Sequence, residues 1–200
     1  MQTYRIHFIR HGMTEGNVKG QYIGRTELPV TPEGLSALEM LKSEIEYPKV
    51  EKVYSSPMLR CRQTAKIIYP EKEVFVVPNI TEYDFGDFEG KSMEQLKSTE
   101  DYSEWIAGNR NSPPGGEAVE EFAKRIVLGI NEIVRDMMSE DIHDAAVITH
   151  GGIIRMFLAT CGLPRRNFYE WGADNGRGYS ISITPSLYQR TGAVEVTNAI

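Results

Sequence analysis

Short β-rich runs alternate with longer amphipathic stretches along most of the chain, and this alternation constrains the fold more than any other feature. Thr3–Arg10 (TYRIHFIR) is dense in β-formers and is followed closely by a glycine, which predicts a first strand. Glu51–Ser55, Glu73–Val77 and Asp144–Thr149 read as further strands. The last has an apolar centre, Ala145–Ile148, of the kind buried in a parallel sheet. Helical patterns stand between them. Thr31 can cap a helix and Pro32 suits its first turn; Leu35, Leu38, Leu41 and Ile45 then line one face. Met58–Tyr69 and Gly152–Cys161 read as helices. So does Glu117–Met138, with Val119, Phe122, Ile126, Ile130, Ile133 and Met137 on one side.

Residues Pro78–Gly116 are less regular, with helical pieces at Met93–Leu96 and Tyr102–Ala107, and Ser112–Gly116 (SPPGG) is a hard break. Tyr179–Thr184 and Ala193–Thr197 read as closing strands. Strands alternating with helices predict an α/β fold: a doubly wound, mostly parallel sheet with helices on both faces, in a single domain over residues 1–200.

The net charge of -6 argues against a broad nucleic-acid footprint. An acidic chain that handles an anion must concentrate positive charge locally, so arginines near histidines become informative. Cys61 and Cys161 sit among apolar neighbours in helical segments and read as buried free thiols. Neither a secretory h-region nor a run of membrane-spanning length is present in the sequence, so the expectation is a cytoplasmic protein with no membrane partner.

In a doubly wound sheet, ligands bind where loops leave the carboxyl ends of the strands. That rule selects Arg10-His11-Gly12, Ser55-Ser56-Pro57 and His150-Gly151-Gly152. Glycines let backbone N–H groups approach an anion, and a following helix adds its positive end. Arg60, about one turn into the next helix, could reach the same spot. Two arginines and two histidines make a compact cationic pocket suited to a phosphate dianion. His7 and His143 read as structural. His7 and His11 are four apart, but on a strand that separates them by roughly 13 Å, too far to share a metal. With no third ligand in view, neither a metal nor another cofactor is expected.

Arg10–Asn17 (RHGMTEGN) resembles the R-H-G-x-S/T-x-x-N signature of the histidine phosphatase superfamily, which includes cofactor-dependent phosphoglycerate mutases. Gly24–Gly34 (GRTELPVTPEG), Ser55–Ala65 (SSPMLRCRQTA), Glu82–Gly90 (EYDFGDFEG) and His150–Gly152 (HGG) match further stretches in order, and Pro114–Glu117 (PGGE) is a weaker sixth. The resemblance implies a phosphoglycerate mutase-like fold and a metal-independent hydrolase of small-molecule phosphate monoesters. His11 is then the nucleophile that forms a phosphohistidine. Arg10, Arg60 and His150 hold the phosphoryl oxygens, and Glu82 protonates the leaving oxygen before activating water. Thr14 and Asn17 orient the pocket, Gly12 and Gly151 leave room for it, and Gly24 is placed among the substrate-binding residues. A homodimer is left open.

Ala118 stands where many relatives carry a hydroxyl, and Asn175-Gly176-Arg177-Gly178-Tyr179 replaces a common Asn-small-Ser/Thr stretch. Arg177 could touch an anionic substrate, though a surface turn suits it better. Mutases of this frame usually have Trp before the signature Asn, where Gly16 stands here, and carry an added middle segment. EYDFGDFEG looks more like small-molecule phosphatases, including those acting on α-ribazole phosphate. The phosphatase reading therefore leads. A mutase-type phosphotransferase and an idle phosphate-binding regulatory domain are the alternatives, and the second has no need of the acid at Glu82.

Overall fold

A computed structural model describes residues 3–200. The first half runs β1 (Tyr4–Arg10), α1 (Glu15–Val18), α2 (Pro32–Glu44), β2 (Lys52–Ser55), α3 (Leu59–Ile68), β3 (Val74–Val76), α4 (Met93–Leu96) and α5 (Glu100–Ile106). It continues with α6 (Val119–Ser139), β4 (Asp144–Thr149), α7 (Gly151–Cys161), β5 (Gly162–Leu163), β6 (Gly178–Ile183), α8 (Pro185–Thr191) and β7 (Val194–Ala199). Among the described residues seven strands form one sheet, in the order β3-β2-β4-β1-β6-β7-β5. β3, β2, β4 and β1 pair in parallel; β6 alone runs the other way, between β1 and β7. The α/β expectation holds.

The two faces follow from strand periodicity. Ile6, Phe8, Ala145 and Val147 pack with Ile126, Ile130 and Ile133 of α6 and Ile154, Phe157 and Leu158 of α7. Ile9, Ala146 and Ile148 face the opposite way, onto Cys61, Ala65 and Ile68 of α3, with Leu41 of α2 alongside. Helix α2 starts as its sequence dictates: Thr31 accepts from the Gly34 N–H at 3.0 Å, and Pro32 occupies the first turn. Cys61 and Cys161 are both buried and free. Among the described residues no helix is long and apolar enough to cross a membrane.

Three short elements go beyond the sequence expectations: α1, α8 and β5. At four, seven and two residues they are too short for hydrophobic periodicity to show. Val119, expected on the buried face of α6, is 36% exposed, because the helix begins there at the rim of a cleft.

The arrangement that positions the site is the β1–β4 register. Arg10 lies opposite Thr149, so the next residues, His11 and His150, leave the sheet side by side. Ser55 of β2 pairs with Ile148, which brings Ser56 to the same edge.

Candidate active site

His11 and His150 meet edge to face, their ring centroids 5.2 Å apart at 64°. His11 Nδ1 lies 2.7 Å from the Gly12 carbonyl. A carbonyl can only accept, so Nδ1 carries the proton and Nε2 keeps its lone pair. Burial, reinforced by Arg60 and Arg10, depresses the His11 pKa to about 3, against the Gly12 bond, which favours the charged ring. The imidazole is neutral over the whole physiological range. Its backbone is fixed from three sides. The Gly12 N–H donates to Thr64 Oγ1 at 2.8 Å, the His11 N–H to the Thr149 carbonyl at 2.9 Å, and Asn175 Nδ2 donates to the His11 carbonyl at 2.7 Å.

Arg60 is fully buried. It donates through Nη2 to the Gly24 carbonyl (2.8 Å), through Nη1 to the Thr26 carbonyl (3.0 Å) and through Nε to His150 Nδ1 (3.4 Å). Nδ1 of His150 therefore accepts, and Nε2 donates to Ser56 Oγ at 2.8 Å. Burial first, then Arg60, His11 and Arg10, hold the His150 pKa well below its ordinary value. Arg10 donates through Nη1 to the Ala173 carbonyl (2.8 Å), and its buried Nε has no hydrogen-bond partner among the described residues. A Cβ on Gly151 would stand 3.3 Å from that Nε, so glycine there leaves the guanidinium its space.

Glu82 is nearly buried. Its Oε1 accepts from the Tyr83 N–H at 2.9 Å and its Oε2 from the Gly152 N–H at 2.9 Å, at the N-terminus of α7. The segment carrying Glu82 hangs on Arg125 of α6, whose guanidinium donates to the carbonyls of Asn79 (3.0 Å), Thr81 (2.5 Å) and Glu82 (2.9 Å). Arg125 is itself held by Glu117, Nε to Oε1 at 2.6 Å and Nη2 to Oε2 at 2.9 Å. Thr14 and Asn17 form a capping box on α1.

Arg10, His11, Thr14, Asn17, Arg60, Glu82 and Gly151 converge on one cleft of about 650 Å³. The other three expected residues stand behind its wall. His150 is fully buried, with both ring nitrogens engaged, so a contact to a phosphoryl oxygen requires exchange of one of those bonds. Gly24 supports Arg60 through its carbonyl, and a Cβ there would come within 1.8 Å of the Tyr83 carbonyl. A Cβ on Gly12 would meet Leu38 at 2.6 Å, which keeps β1 close to α2. Arg177 lies in the turn around Gly176, outside the cleft lining, and its carbonyl accepts from the Arg10 N–H at 2.9 Å.

Asn175, Arg125 and Arg155 were invisible as site residues in the sequence; Ser56 was selected with its strand end, but not its bond to His150. Asn175 stands in the stretch that departs from the family pattern, yet it reaches both His11 and, at 3.4 Å, Asn17 Oδ1. The one available signal for Arg125 was Glu117 in the PGGE motif, eight residues upstream.

Similarity to known proteins extends over most of the chain. The family model described as "Histidine phosphatase superfamily (branch 1)" matches residues 6–191. An adenosylcobalamin/alpha-ribazole phosphatase of Salmonella typhimurium is 26% identical over 185 residues, 90% of each chain. A broad-specificity phosphatase of Saccharomyces cerevisiae is 30% identical over 161 residues, 77% of this chain and 68% of that one. An alpha-ribazole phosphatase from Shigella flexneri shares the fold, with a TM-score of 0.77 at 24% identity over 96% of this chain and 94% of that one. With a family model spanning nearly all of it and the strand-end histidines side by side, the chain belongs to the histidine phosphatase superfamily.

Proposed function

We propose that the protein hydrolyses phosphate monoesters of small molecules through a phosphohistidine on His11, without a metal ion. One observation carries the reading: a neutral imidazole whose proton is committed to the Gly12 carbonyl, leaving Nε2 as a lone pair beside Arg10 and Arg60. In the first step a bond forms from Nε2 to phosphorus and the bond from phosphorus to the leaving oxygen breaks. Protonated Glu82 gives its proton to that oxygen. In the second step Glu82 takes a proton from water as the water oxygen bonds to phosphorus, and the N–P bond breaks, its electron pair returning to His11 Nε2. The arginine guanidiniums hold the charge on the transferring group, the part a divalent cation plays elsewhere. The two N–H donors on Glu82 fix the carboxyl group at the cleft wall.

Rapid acid-free quenching during turnover should trap acid-labile, base-stable phosphate on the wild-type protein. His11→Ala should abolish both that label and turnover of p-nitrophenyl phosphate, while circular dichroism and thermal unfolding stay near wild type. Label that persists in His11→Ala, or activity that vanishes with EDTA and returns with Mg²⁺ or Zn²⁺, would overturn the mechanism.

A further inference from the structure

Beyond the phosphoryl end, the cleft changes character. Its lining there includes the rings of Tyr22, Tyr83, Phe85 and Trp105 and, from α7, Met156 and Ala159. The rings support one another: Tyr22 lies 5.0 Å from Phe85 and 5.9 Å from Trp105, and Phe85 meets Trp105 edge-on at 6.3 Å. The tyrosines offer little polarity to a ligand. The Tyr22 hydroxyl is bonded to that of Tyr102 at 2.7 Å, and the Tyr83 hydroxyl donates to the Glu117 carbonyl. Gln21 is likewise engaged, its Nε2 donating to the Gly90 carbonyl at 2.6 Å.

The lining there is mostly carbon and extends to the mouth, where Ile106 is 53% and Tyr169, with its hydroxyl, 80% exposed. A pocket with charge at one end and tied-back aromatic rings at the other is amphipathic along its length. A leaving group rich in hydroxyl or amino groups would lose water there and gain few partners, Arg155 being the one cation that the described lining offers beyond Arg10 and Arg60.

We propose that the cleft selects phosphate monoesters whose leaving group carries an apolar, ring-bearing body seated against Tyr22, Phe85 and Trp105, and discriminates against short polar leaving groups such as that of phosphoserine. The polar exception is Arg155 of α7, whose buried Nε has no hydrogen-bond partner among the described residues. It leaves room for one acceptor atom on an otherwise apolar body. This assignment rests on the phosphatase reading, because it takes the phosphate to lie at His11.

Binding of non-hydrolysable phosphonates separates the two ideas. By calorimetry, 2-phenylethylphosphonate should bind tighter than ethylphosphonate by on the order of tenfold to a hundredfold, the gain expected from burying one phenyl ring. 2-Amino-4-phosphonobutyrate, the phosphonate isostere of phosphoserine, should bind no tighter than ethylphosphonate. Trp105→Ala should reduce the phenyl preference to within about threefold. Ile106→Glu, at an exposed position that does not risk the fold, should reduce it as well. Equal binding of the phenyl and ethyl compounds, tightest binding of the amino acid analogue, or a phenyl preference untouched by both substitutions would overturn the subsite. Turnover of p-nitrophenyl phosphate without the phenyl preference sinks the subsite and leaves the phosphatase standing. The preference without turnover sinks the phosphatase and leaves the subsite.

Discussion

At the scale of single residues, the chemistry depends on which atoms carry protons. His11 is held neutral by burial and two guanidiniums, with its pKa near 3 instead of the ordinary 6.5. Folded His11 therefore binds no proton between those values, whereas the unfolded chain does. The unfolded state gains protons as pH falls from about 7 toward about 3, so His11 costs the fold stability across that window and nothing above it. Heteronuclear NMR should find the His11 ring in its Nδ1–H tautomer and untitrated from pH 8 to pH 5; a midpoint near 6.5 would refute the electrostatic account. Glu82 is tested by its proton. Glu82→Gln keeps the shape but has no transferable acid proton, so single-turnover phosphorylation by an alkyl phosphate should slow by about 10²–10⁴. p-Nitrophenyl phosphate leaves as a stable anion and should be affected far less. Equal losses for both would reduce Glu82 to a positioning role.

At the scale of elements, the site is a consequence of how α7 begins. The helix starts directly at Gly151-Gly152, and the absence of side chains there admits two groups from elsewhere. Arg10 lies against Gly151, and the Glu82 carboxylate lies where a Cβ of residue 152 would sit, 2.3 Å from Oε1. The obstructing atom belongs to the end of a flexible side chain, so Gly152→Ala should move the carboxylate and spare the fold. We expect Gly152→Ala to lower turnover of an alkyl phosphate by at least tenfold, on the scale of a displaced acid group, with little change in melting temperature. Loss of folding with no separate kinetic effect would show that the contact is structural. The loop bearing Glu89 acts in the same indirect manner. Glu89 Oε1 accepts from the Gly24 and Thr26 N–H groups at 2.7 and 2.8 Å, and the carbonyls of those two residues hold Arg60.

At the scale of the whole molecule, charge is strongly redistributed. The chain carries a net charge of -6, yet its cleft gathers Arg10, Arg60 and Arg155. Some acidic groups elsewhere are tied up in structure: Asp144 pairs with Arg5 at 2.6 Å across β1 and β4, and Asp136 and Glu140 pair with Lys52 at 2.7 and 2.8 Å. An oxyanion that fills the cleft binds only the folded state. Tungstate at about 100 times its Kd should then stabilise the protein by about 2.7 kcal/mol. That corresponds to a rise of roughly 5–10 °C in melting temperature for a chain of this size. Arg60→Ala should abolish most of the shift; an equal shift in wild type and variant would place the anion elsewhere.

Strand-helix alternation, the RHG and HGG motifs at strand ends, and the Thr31-Pro32 helix start are local patterns, and the sequence by itself determined them along with the family. Backbone periodicity and capping act over a few residues, so they can be read without knowing what lies across the fold. The partners of those residues could not be read in that way. Asn175 reaches His11 from 164 residues away, Ser56 reaches His150 from 94, and Arg125 reaches the Glu82 carbonyl from 43. Pairing at such separations depends on strand order and register, which only the tertiary structure decides. The same holds for the apolar half of the cleft. Tyr22, Phe85 and Trp105 are ordinary aromatic residues along the chain. They became a wall only when the loop after β1 and the irregular segment after β3 packed together and turned their rings, with the hydroxyls tied back, toward the site.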